Sequence, residues 1–331
     1  MSKPSTQVIA IGNAIVDVMA PCEDALIEQL GLVRGGMTLV DTARAHELYD
    51  AMGPAREISG GSAANTLAGL AALGSKCAFI GQVAQDQLGE VFAHDIRAGG
   101  IRFDTAARAG DPPTARCLIF VTPDGQRTMN TYLGASQFLP PAALDEAAIA
   151  DAEILYLEGY LWDPEEPRAA MRRAIAAAKD HGRKVAFTLS DAFVIERHGA
   201  DFRAMIETGE IDILFANHIE LAALTGHDDF HVGIDALKDK VPTLVVTRSE
   251  HGAVAASGGV LYEVPAEPVA QVVDTTGAGD LFAAGFLHGL VSGRGIGECL
   301  RIGAICAAEV ISHYGARPEA DLEELVNTRL G

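Results

Sequence analysis

Short apolar runs alternate with longer segments of helical periodicity along most of the chain. The apolar runs have strand length, and the segments between them commonly stop at a glycine, as helices do. The clearest strand candidates are 7–11, 76–83, 154–157, 184–189, 211–215 and 244–247, and the clearest helices are 63–73, 88–98 and 167–181. Helices are also expected over 140–150 and 295–313, and the second contains small residues that permit close packing on a neighbour: Gly303, Ala304, Ala307 and Ala308. Strands that alternate with helices indicate a doubly wound, mostly parallel α/β sheet flanked by helices.

A different pattern interrupts this alternation between residues 103 and 133. Two β-rich runs, 117–122 and 126–133, flank Pro123, Asp124 and Gly125, a typical hairpin turn. Residues 37–40 also alternate like a strand. We interpret the hairpin as an excursion from the main sheet.

The segment Asp274-Thr-Thr-Gly-Ala-Gly-Asp280 follows a strand-like run, 269–273, and precedes an apolar helical run, 281–291. Its glycines allow a sharp turn, and the amides of Gly277, Ala278 and Gly279 would lie at a helix N-terminus, where anions bind. Asp280 in this turn could take a proton from a hydroxyl that attacks a phosphoryl group. The alternative, for a short motif, is a helix-capping aspartate beside turn glycines.

Polar groups also follow two earlier elements. Asn13 and Asp17 come just after the first strand, where ligands bind in open α/β sheets, and an ionised Asp17 could accept two hydroxyls of a diol. Gly60 and Gly61 precede a helix for which Ser62 is a plausible N-cap, and Asn65 falls in the first turn. The alternatives are a turn asparagine, a surface aspartate and an ordinary glycine hinge.

Two further segments contain residues that could have either a chemical role or a purely structural one. Asn217 and Glu220 share one face of a helical turn and could hold waters around Mg²⁺, but a capping box has the same spacing, which by itself favours the cap. Asp191 follows a strand, and we interpret it as the cap of the next helix rather than an active-site carboxylate.

Composition narrows the classes of function. The 331 residues suit one large domain, and 49% hydrophobic residues suffice for a substantial core. A net charge of -20 argues against a nucleic-acid partner. Five scattered cysteines indicate reduced thiols and a cytoplasmic location, and the sequence has no signal-peptide pattern or membrane span. No P-loop motif and no histidine pair with metal-ligand spacing occurs.

The whole Asp274–Asp280 string resembles the signature of the ribokinase-like (PfkB) family of carbohydrate and nucleoside kinases. The resemblance extends over nearly all of residues 1–331 as one kinase domain, with a β-rich lid expected at about 13–40 and 103–133. It implies that Asp280 is the catalytic base, that the amides of 277–279 form the anion hole, and that ATP and Mg²⁺ are required. Gly60, Gly61 and Asn65 would bind a sugar, and Asp17 would accept hydrogen bonds from its diol.

The same resemblance implies roles at the nucleotide. Arg127 would reach the phosphates, Glu220 with Asn217 would hold Mg²⁺ through water, and Thr247 and Gly252 would contact the nucleotide. Ser249 stands where the family has a glycine. A monovalent cation such as K⁺ is implied near Asp274.

The Gly-Asn-x-x-x-Asp spacing at 12–17 resembles the adenosine-kinase branch. Met37 and Leu39 share one strand face, Met129 lies on another strand, and with Tyr160 they could enclose a purine. Alternatively, these apolar residues simply pack the lid on the main domain. A kinase of a free sugar such as ribose or fructose, or a non-catalytic ligand-binding regulator, remain alternatives. The oligomeric state is open, with a homodimer among the options.

Overall fold

The computed structural model describes residues 4–331, which form helices and two β-sheets. In chain order the strands are β1 (Thr6–Ile11), β2 (Ile15–Pro21), β3 (Met37–Leu39), β4 (Arg56–Gly60), β5 (Cys77–Ile80), β6 (Ile101–Phe103), β7 (Ala115–Val121), β8 (Arg127–Tyr132), β9 (Ala152–Glu158), β10 (Lys184–Thr188), β11 (Ile213–Asn217), β12 (Thr243–Thr247), β13 (Ala253–Ser257) and β14 (Val260–Val264). The α-helices are α1 (Asp24–Gln29), α2 (Thr42–Ala51), α3 (Ser62–Ala72), α4 (Gln87–Ala98), α5 (Glu146–Ala150), α6 (Glu165–Asp180), α7 (Ala192–Glu207), α8 (His218–Thr225), α9 (Phe230–Leu237), α10 (Ala278–Val291), α11 (Ile296–Val310) and α12 (Leu322–Leu330).

The main sheet has nine strands in the order β14-β13-β12-β11-β10-β9-β1-β5-β6. Neighbours from β12 to β6 are parallel, and β13 and β14 add an antiparallel edge. The strand order reverses around β1, which lies between β9 and β5. This confirms the doubly wound, mostly parallel sheet, and such a reversal is where ligands bind in open α/β folds.

A second sheet of five strands, β3-β8-β7-β2-β4, covers this region and is called the small sheet below. The hairpin β7–β8 is antiparallel, as the turn at Pro123 to Gly125 indicates. Strand β4 belongs to the small sheet although it lies outside both segments expected for the lid. Strand β6, at the start of the second expected segment, belongs to the main sheet. The sequence of β4, Arg-Glu-Ile-Ser-Gly, is too polar to give an apolar strand signal.

Close helix packing brings two helix N-termini together. Helix α3 packs on α10, and α10 packs on α11. A Cβ at Gly69 would meet Leu281 and Ala284 at 2.6 and 2.8 Å, and one at Gly285 would meet Gly303 Cα at 2.8 Å. The small residues predicted to allow close packing in α11 therefore do so, and the first turns of α3 and α10 become neighbours.

Two predicted elements differ in the structure. Residues 269–273 form a loop rather than a strand. In this loop the Val273 amide donates to the Ile311 carbonyl. The helix expected over 140–150 is a short 3₁₀ turn, Pro141–Ala143, followed by α5. Among residues 4–331, no helix is both long and apolar enough to cross a bilayer.

Candidate active site

A cavity of about 550 Å³ lies between the carboxyl ends of the main-sheet strands and the small sheet. Its wall brings together residues that are far apart in sequence: Asn13, Asp17, Gly61, Asn65, Asn217, Glu220, Thr247, Gly277, Ala278, Gly279 and Asp280. Met37, Leu39, Met129 and Tyr160 line it as well. Most of the residues selected from sequence therefore share one cavity.

The turn before α10 has the shape that its glycines predict. Gly277 is the N-cap, with a left-handed φ of 78°, and a Cβ there would lie 2.7 Å from Ala316 Cβ. The space around Gly279 is open, since a Cβ would meet nothing within 4 Å. The Ala278 amide donates to the Thr275 carbonyl, which lies before the helix, at 3.2 Å.

Asp280 lies in the first turn of α10, against the first turn of α3. Ser62 Oγ donates to one carboxylate oxygen at 2.6 Å, and Asn65 Nδ2 donates to the other at 3.2 Å. Burial raises the pKa of Asp280, while these two hydrogen bonds and the charge of Arg317 oppose the rise. A carboxylate whose pKa is raised toward neutrality is better suited to act as a general base.

Ser62 has a different role from the predicted one. Gly61 is the N-cap of α3, with a φ of 98°, and Ser62 is the first helical residue, so its hydroxyl is free to bond to Asp280. Sequence reasoning missed this role because a serine between a glycine and a helix fits a cap equally well.

The Gly60–Gly61 turn fits closely around its neighbours. A Cβ at Gly60 would lie 2.5 Å from a carboxylate oxygen of Asp17, and one at Gly61 would lie 2.2 Å from the Asn13 carbonyl oxygen. Only glycine leaves room for the Asp17 carboxylate beside this turn. Burial raises the pKa of Asp17 to about 6, although Arg317 and Arg127 oppose the rise.

Glu158, at the end of β9, is a site residue that the sequence did not single out. It is fully buried and accepts from the Asn13 amide, from Asn13 Nδ2 and from the Ala63 amide, at 2.7–2.8 Å. Burial raises its pKa to about 7. Ser136 Oγ donates to Asn13 Oδ1 at 2.8 Å, so protein groups hold both the oxygen and the nitrogen of the Asn13 side chain. Within residues 4–331, the buried Oδ1 of Asn65 has no hydrogen-bond partner.

Asn217 and Glu220 form the capping box that their spacing allows. Asn217 Oδ1 accepts from the amides of Ile219 and Glu220, and Glu220 accepts from the Asn217 amide and Nδ2 at 3.0 and 2.7 Å. Burial, with a smaller contribution from the negative charge of Asp191, raises the pKa of Glu220 to about 7, against the opposing effect of the hydrogen bond from the Asn217 amide. Asp191 caps α7 as predicted, and it lines the same cavity.

These residues fit Mg²⁺ held through water. The negative charge of Asp191 disfavours ionisation of Glu220, so a nearby cation would stabilise the ionised form of Glu220. Mg²⁺ prefers oxygen ligands and retains several waters. Among residues 4–331, no cluster of three or more side chains could ligate a metal directly. The donor set therefore suits an ion that phosphates and water coordinate in part.

The Thr247–Gly252 loop is only partly as predicted. Thr247 lines the cavity, whereas Gly252 lies outside it, with a φ of 80° and a Cβ position 2.0 Å from the Val264 carbonyl oxygen. Gly252 is needed for the turn between β12 and β13. Ser249, which stands in place of a glycine, has a left-handed φ of 51°.

Replacing Ser249 with glycine should relieve this backbone strain. A left-handed conformation costs a non-glycine residue about 1–2 kcal/mol, and the greater freedom of glycine in the unfolded chain cancels part of the gain. We expect Ser249→Gly to raise the free energy of unfolding by about 0.5–1 kcal/mol in urea titrations, and Ser249→Val to lower it by about 1 kcal/mol or more. Equal stabilities of the two variants would contradict this reading of the loop.

Arg127 and Asp274 form a buried ion pair. Arg127 Nη1 is 2.7 Å from Asp274 Oδ2, and their side chains are 5% and 8% exposed and do not line the cavity. The Asp274 carboxylate also accepts from the amide of Gly315 and from the amide and hydroxyl of Thr276. Arg127 is thus a buried partner of this loop, and the phosphate contact of Arg127 and the monovalent cation near Asp274 stay predictions.

The cavity face of the small sheet is mostly apolar. Met37 pairs with Met129 on the neighbouring strand, and Met129 pairs with Ile119. The next row contains Leu39, Thr131, Cys117 and Asp17. On the opposite side, the Tyr160 and Phe193 rings lie 6.0 Å apart. A flat apolar group therefore has surfaces on two sides of the cavity, with Asp17 at one end of a row.

The fold and the site together define an ATP-dependent kinase of small molecules: a switch-point cavity, an anion turn at a helix N-terminus and a carboxylate beside it. The sequence model of the pfkB family carbohydrate kinases matches residues 37–322, and the chain belongs to that family.

Similar proteins have more than one substrate class. An adenosine kinase from Sinorhizobium meliloti is 47% identical, with a TM-score of 0.90 over 99% of this chain and 100% of that one. A probable sugar kinase from Rhizobium etli CFN 42 is 44% identical, with a TM-score of 0.91 over 98% and 99%. A fructokinase from Klebsiella pneumoniae is 30% identical over 271 residues, 78% of this chain and 86% of its own.

Proposed function

We propose that the protein transfers a phosphoryl group from ATP to the 5′-hydroxyl of a nucleoside, with adenosine as the preferred substrate. The observation that carries this proposal is the Asp280 carboxylate, held by Ser62 and Asn65 at the anion turn, in one cavity with Asp17. Asp280 takes the proton of the attacking hydroxyl. The turn at Gly277–Gly279 faces the transferred group, whose charge the helix N-terminus stabilises.

The ribose would lie between Asp17 and Asn65. Asp17 accepts from the 2′- and 3′-hydroxyls, and the unpaired Oδ1 of Asn65 accepts a further hydroxyl. Glu158 holds Asn13 and the first turn of α3 in place. With the diol on Asp17, the 5′-hydroxyl would be the one that reaches Asp280.

Glu220, Asn217 and Asp191 would hold Mg²⁺ through water beside the triphosphate. Bound there, Mg²⁺ supplies positive charge that offsets the phosphate oxygens. Thr247 lies on the same side of the cavity and offers a hydroxyl to the nucleotide.

The chemistry of the cavity favours a nucleoside over a free sugar. The small sheet contributes an apolar wall at Met37, Leu39 and Met129. A purine can lie against this wall and Tyr160, whereas a free sugar gains most from polar partners. The 47% identity to an adenosine kinase supports the same choice.

The second candidate is a kinase of a free sugar, which the 30% identity to a fructokinase favours. A relative described as an ATP-dependent ribose-1-phosphate kinase, from Halopiger xanaduensis, is also 30% identical, over 289 residues. A non-catalytic regulator is disfavoured, because a binding protein gains nothing from a carboxylate at an anion turn. The discriminating experiment is kcat/KM for adenosine, inosine, guanosine, ribose, fructose and ribose 1-phosphate with ATP and Mg²⁺. A sugar with a higher kcat/KM than every nucleoside would overturn the proposal.

Met129→Asp should impair nucleoside binding specifically. A carboxylate placed against the base would be desolvated without a partner, so we expect the KM for adenosine to rise at least several-fold. Thr38→Asp is the matched control, because Thr38 is exposed on the adjacent strand β3 and alternates with the cavity residues Met37 and Leu39. Unchanged adenosine kinetics in Met129→Asp would mean that the base does not contact this wall.

A further inference from the structure

Ser190 connects the two loops that carry the aromatic side of the cavity. It follows β10 and lines the cavity, and its hydroxyl oxygen accepts from the Gly159 amide at 2.9 Å and from the Tyr160 amide at 3.4 Å. Both amides belong to the 3₁₀ turn Gly159–Trp162 at the end of β9, the strand that pairs with β10. One side chain thus ties together the carboxyl ends of two neighbouring strands.

The backbone of Ser190 is left-handed, with a φ of 71°. The chain bends sharply there, since the Asp191 amide donates to the Leu189 carbonyl at 2.9 Å. Within residues 4–331, Ser249 is the other non-glycine residue with such a φ. The conformation is unfavourable for a residue with a Cβ, and strain of this kind concentrates at ligand sites. Glycine would relieve the strain but would offer the Gly159 amide no acceptor.

The two loops are in direct contact at Gly159. A Cβ there would lie 2.7 Å from the Leu189 carbonyl oxygen and 3.1 Å from the Thr188 carbonyl oxygen. Gly159 is buried, and a buried amide needs a hydrogen-bond acceptor. The Ser190 hydroxyl supplies that acceptor.

The other end of the 3₁₀ turn is anchored in the core. Leu161 and Trp162 are fully buried, and Trp162 Nε1 donates to Asp201 at 3.0 Å. Ser190 holds the start of the turn and Trp162 holds its end. The backbone of Tyr160 is therefore fixed on both sides, with its half-buried side chain on the cavity wall.

Tyr160 and Phe193, called the aromatic pair below, line the cavity with their rings 6.0 Å apart. Two contacts hold Phe193: its amide donates to Asp191 Oδ1 at 3.1 Å, and Arg197 Cζ lies 4.9 Å from its ring centroid. Asp191 follows Ser190 directly. The bend at Ser190 therefore lies between the contacts that fix the two members of the aromatic pair.

We propose that Ser190 is a positioning residue that holds the aromatic pair in place for the base of the substrate, and that its hydroxyl thereby sets the preference for a nucleoside. The inference rests on the proposed nucleoside substrate. A planar heterocycle gains from aromatic rings that are already ordered, because little side-chain freedom is lost on binding. A free sugar has no planar group to place against them.

The test separates the hydroxyl of Ser190 from its backbone conformation. Ser190→Ala keeps the Cβ and removes the acceptor, whereas Ser190→Gly removes both the acceptor and the strain. We expect both variants to raise the KM for adenosine at least about fivefold, the effect of losing roughly one hydrogen bond. The kcat and the KM for ATP should change little, and the Gly159 and Tyr160 amides should exchange faster with deuterium. A wild-type KM for adenosine in Ser190→Gly would show that the hydroxyl is not needed.

A double-mutant cycle tests whether Ser190 acts through Tyr160. Tyr160→Ala should raise the KM for adenosine, and adding Ser190→Ala should raise it no further, because both changes remove the same contact. Additive effects would contradict the inference. Ser257→Ala is the matched control, since Ser257 is also half-buried with a bonded hydroxyl but lies on β13 outside the cavity wall. It should leave the adenosine kinetics unchanged.

The outcomes distinguish this inference from the proposed function. A wild-type protein that phosphorylates a sugar but not adenosine would overturn both. A raised KM in Tyr160→Ala, with an unchanged KM in Ser190→Ala and Ser190→Gly, would overturn the role of Ser190 alone. Unchanged adenosine kinetics in Tyr160→Ala would also overturn that role, while nucleoside phosphorylation would stand.

Discussion

Asp280→Asn should lower kcat by roughly 10²–10⁴, the usual contribution of a general base. The amide keeps the shape of the side chain, and Ser62 can still donate to its oxygen, so the protein should fold and bind substrate. The change removes basicity alone, which means that KM should move much less than kcat. The measurement is steady-state ADP release with adenosine, together with the melting temperature of the variant.

Asp321→Asn is the matched control for this substitution. Asp321 caps α12 through the amide of Glu324, far from the cavity wall, so its replacement should leave kcat unchanged. If Asp280→Asn turned over substrate at near the wild-type rate, Asp280 would not be the base.

Arg127→Met should lower the free energy of unfolding by about 3–5 kcal/mol, the typical cost of leaving one partner of a buried ion pair alone. Asp274 would lose the cation 2.7 Å from its carboxylate while both positions stay almost completely buried. Urea titration at pH 7 measures the change. The double variant Arg127→Met with Asp274→Asn should recover part of the loss, because it leaves no unpaired charge.

Arg294→Met is the matched control, because Arg294 forms an ion pair with Glu298 in which both side chains are about half exposed. Such pairs contribute about 0–1 kcal/mol. A loss below about 1 kcal/mol in Arg127→Met, together with a lowered kcat, would instead favour the phosphate contact expected from the resemblance.

The main sheet could be predicted from sequence because its strands are short, apolar and separated by glycine-terminated helices. The order of β9, β1 and β5 could not, since strand order depends on which helices pack together. Strand β4 is polar, and its pairing with β2 is what places Ser59 and Gly60 near Asp17. Residues 269–273 have the composition of a strand, but they lie in a loop in which the Val273 amide donates to the Ile311 carbonyl.

The candidate site was predictable where a turn motif fixes the backbone, as at Gly277–Asp280. It was less predictable where a polar side chain could bond to either of two partners. Ser62 could cap its helix or reach Asp280, and only the packing of α3 on α10 decides. Arg127 follows an exposed turn, but its side chain points inward to Asp274. Glu158 has a signal in its place at the carboxyl end of a strand, but its role as a buried anchor depends on Asn13 and Ala63 converging on it.

The most direct test of the account is the product formed from adenosine, ATP and Mg²⁺, identified by ³¹P NMR and mass spectrometry. We predict adenosine 5′-monophosphate with one ADP for each molecule formed, and loss of this product in Asp280→Asn. Absence of adenosine 5′-monophosphate under conditions in which fructose or ribose is phosphorylated would contradict the account.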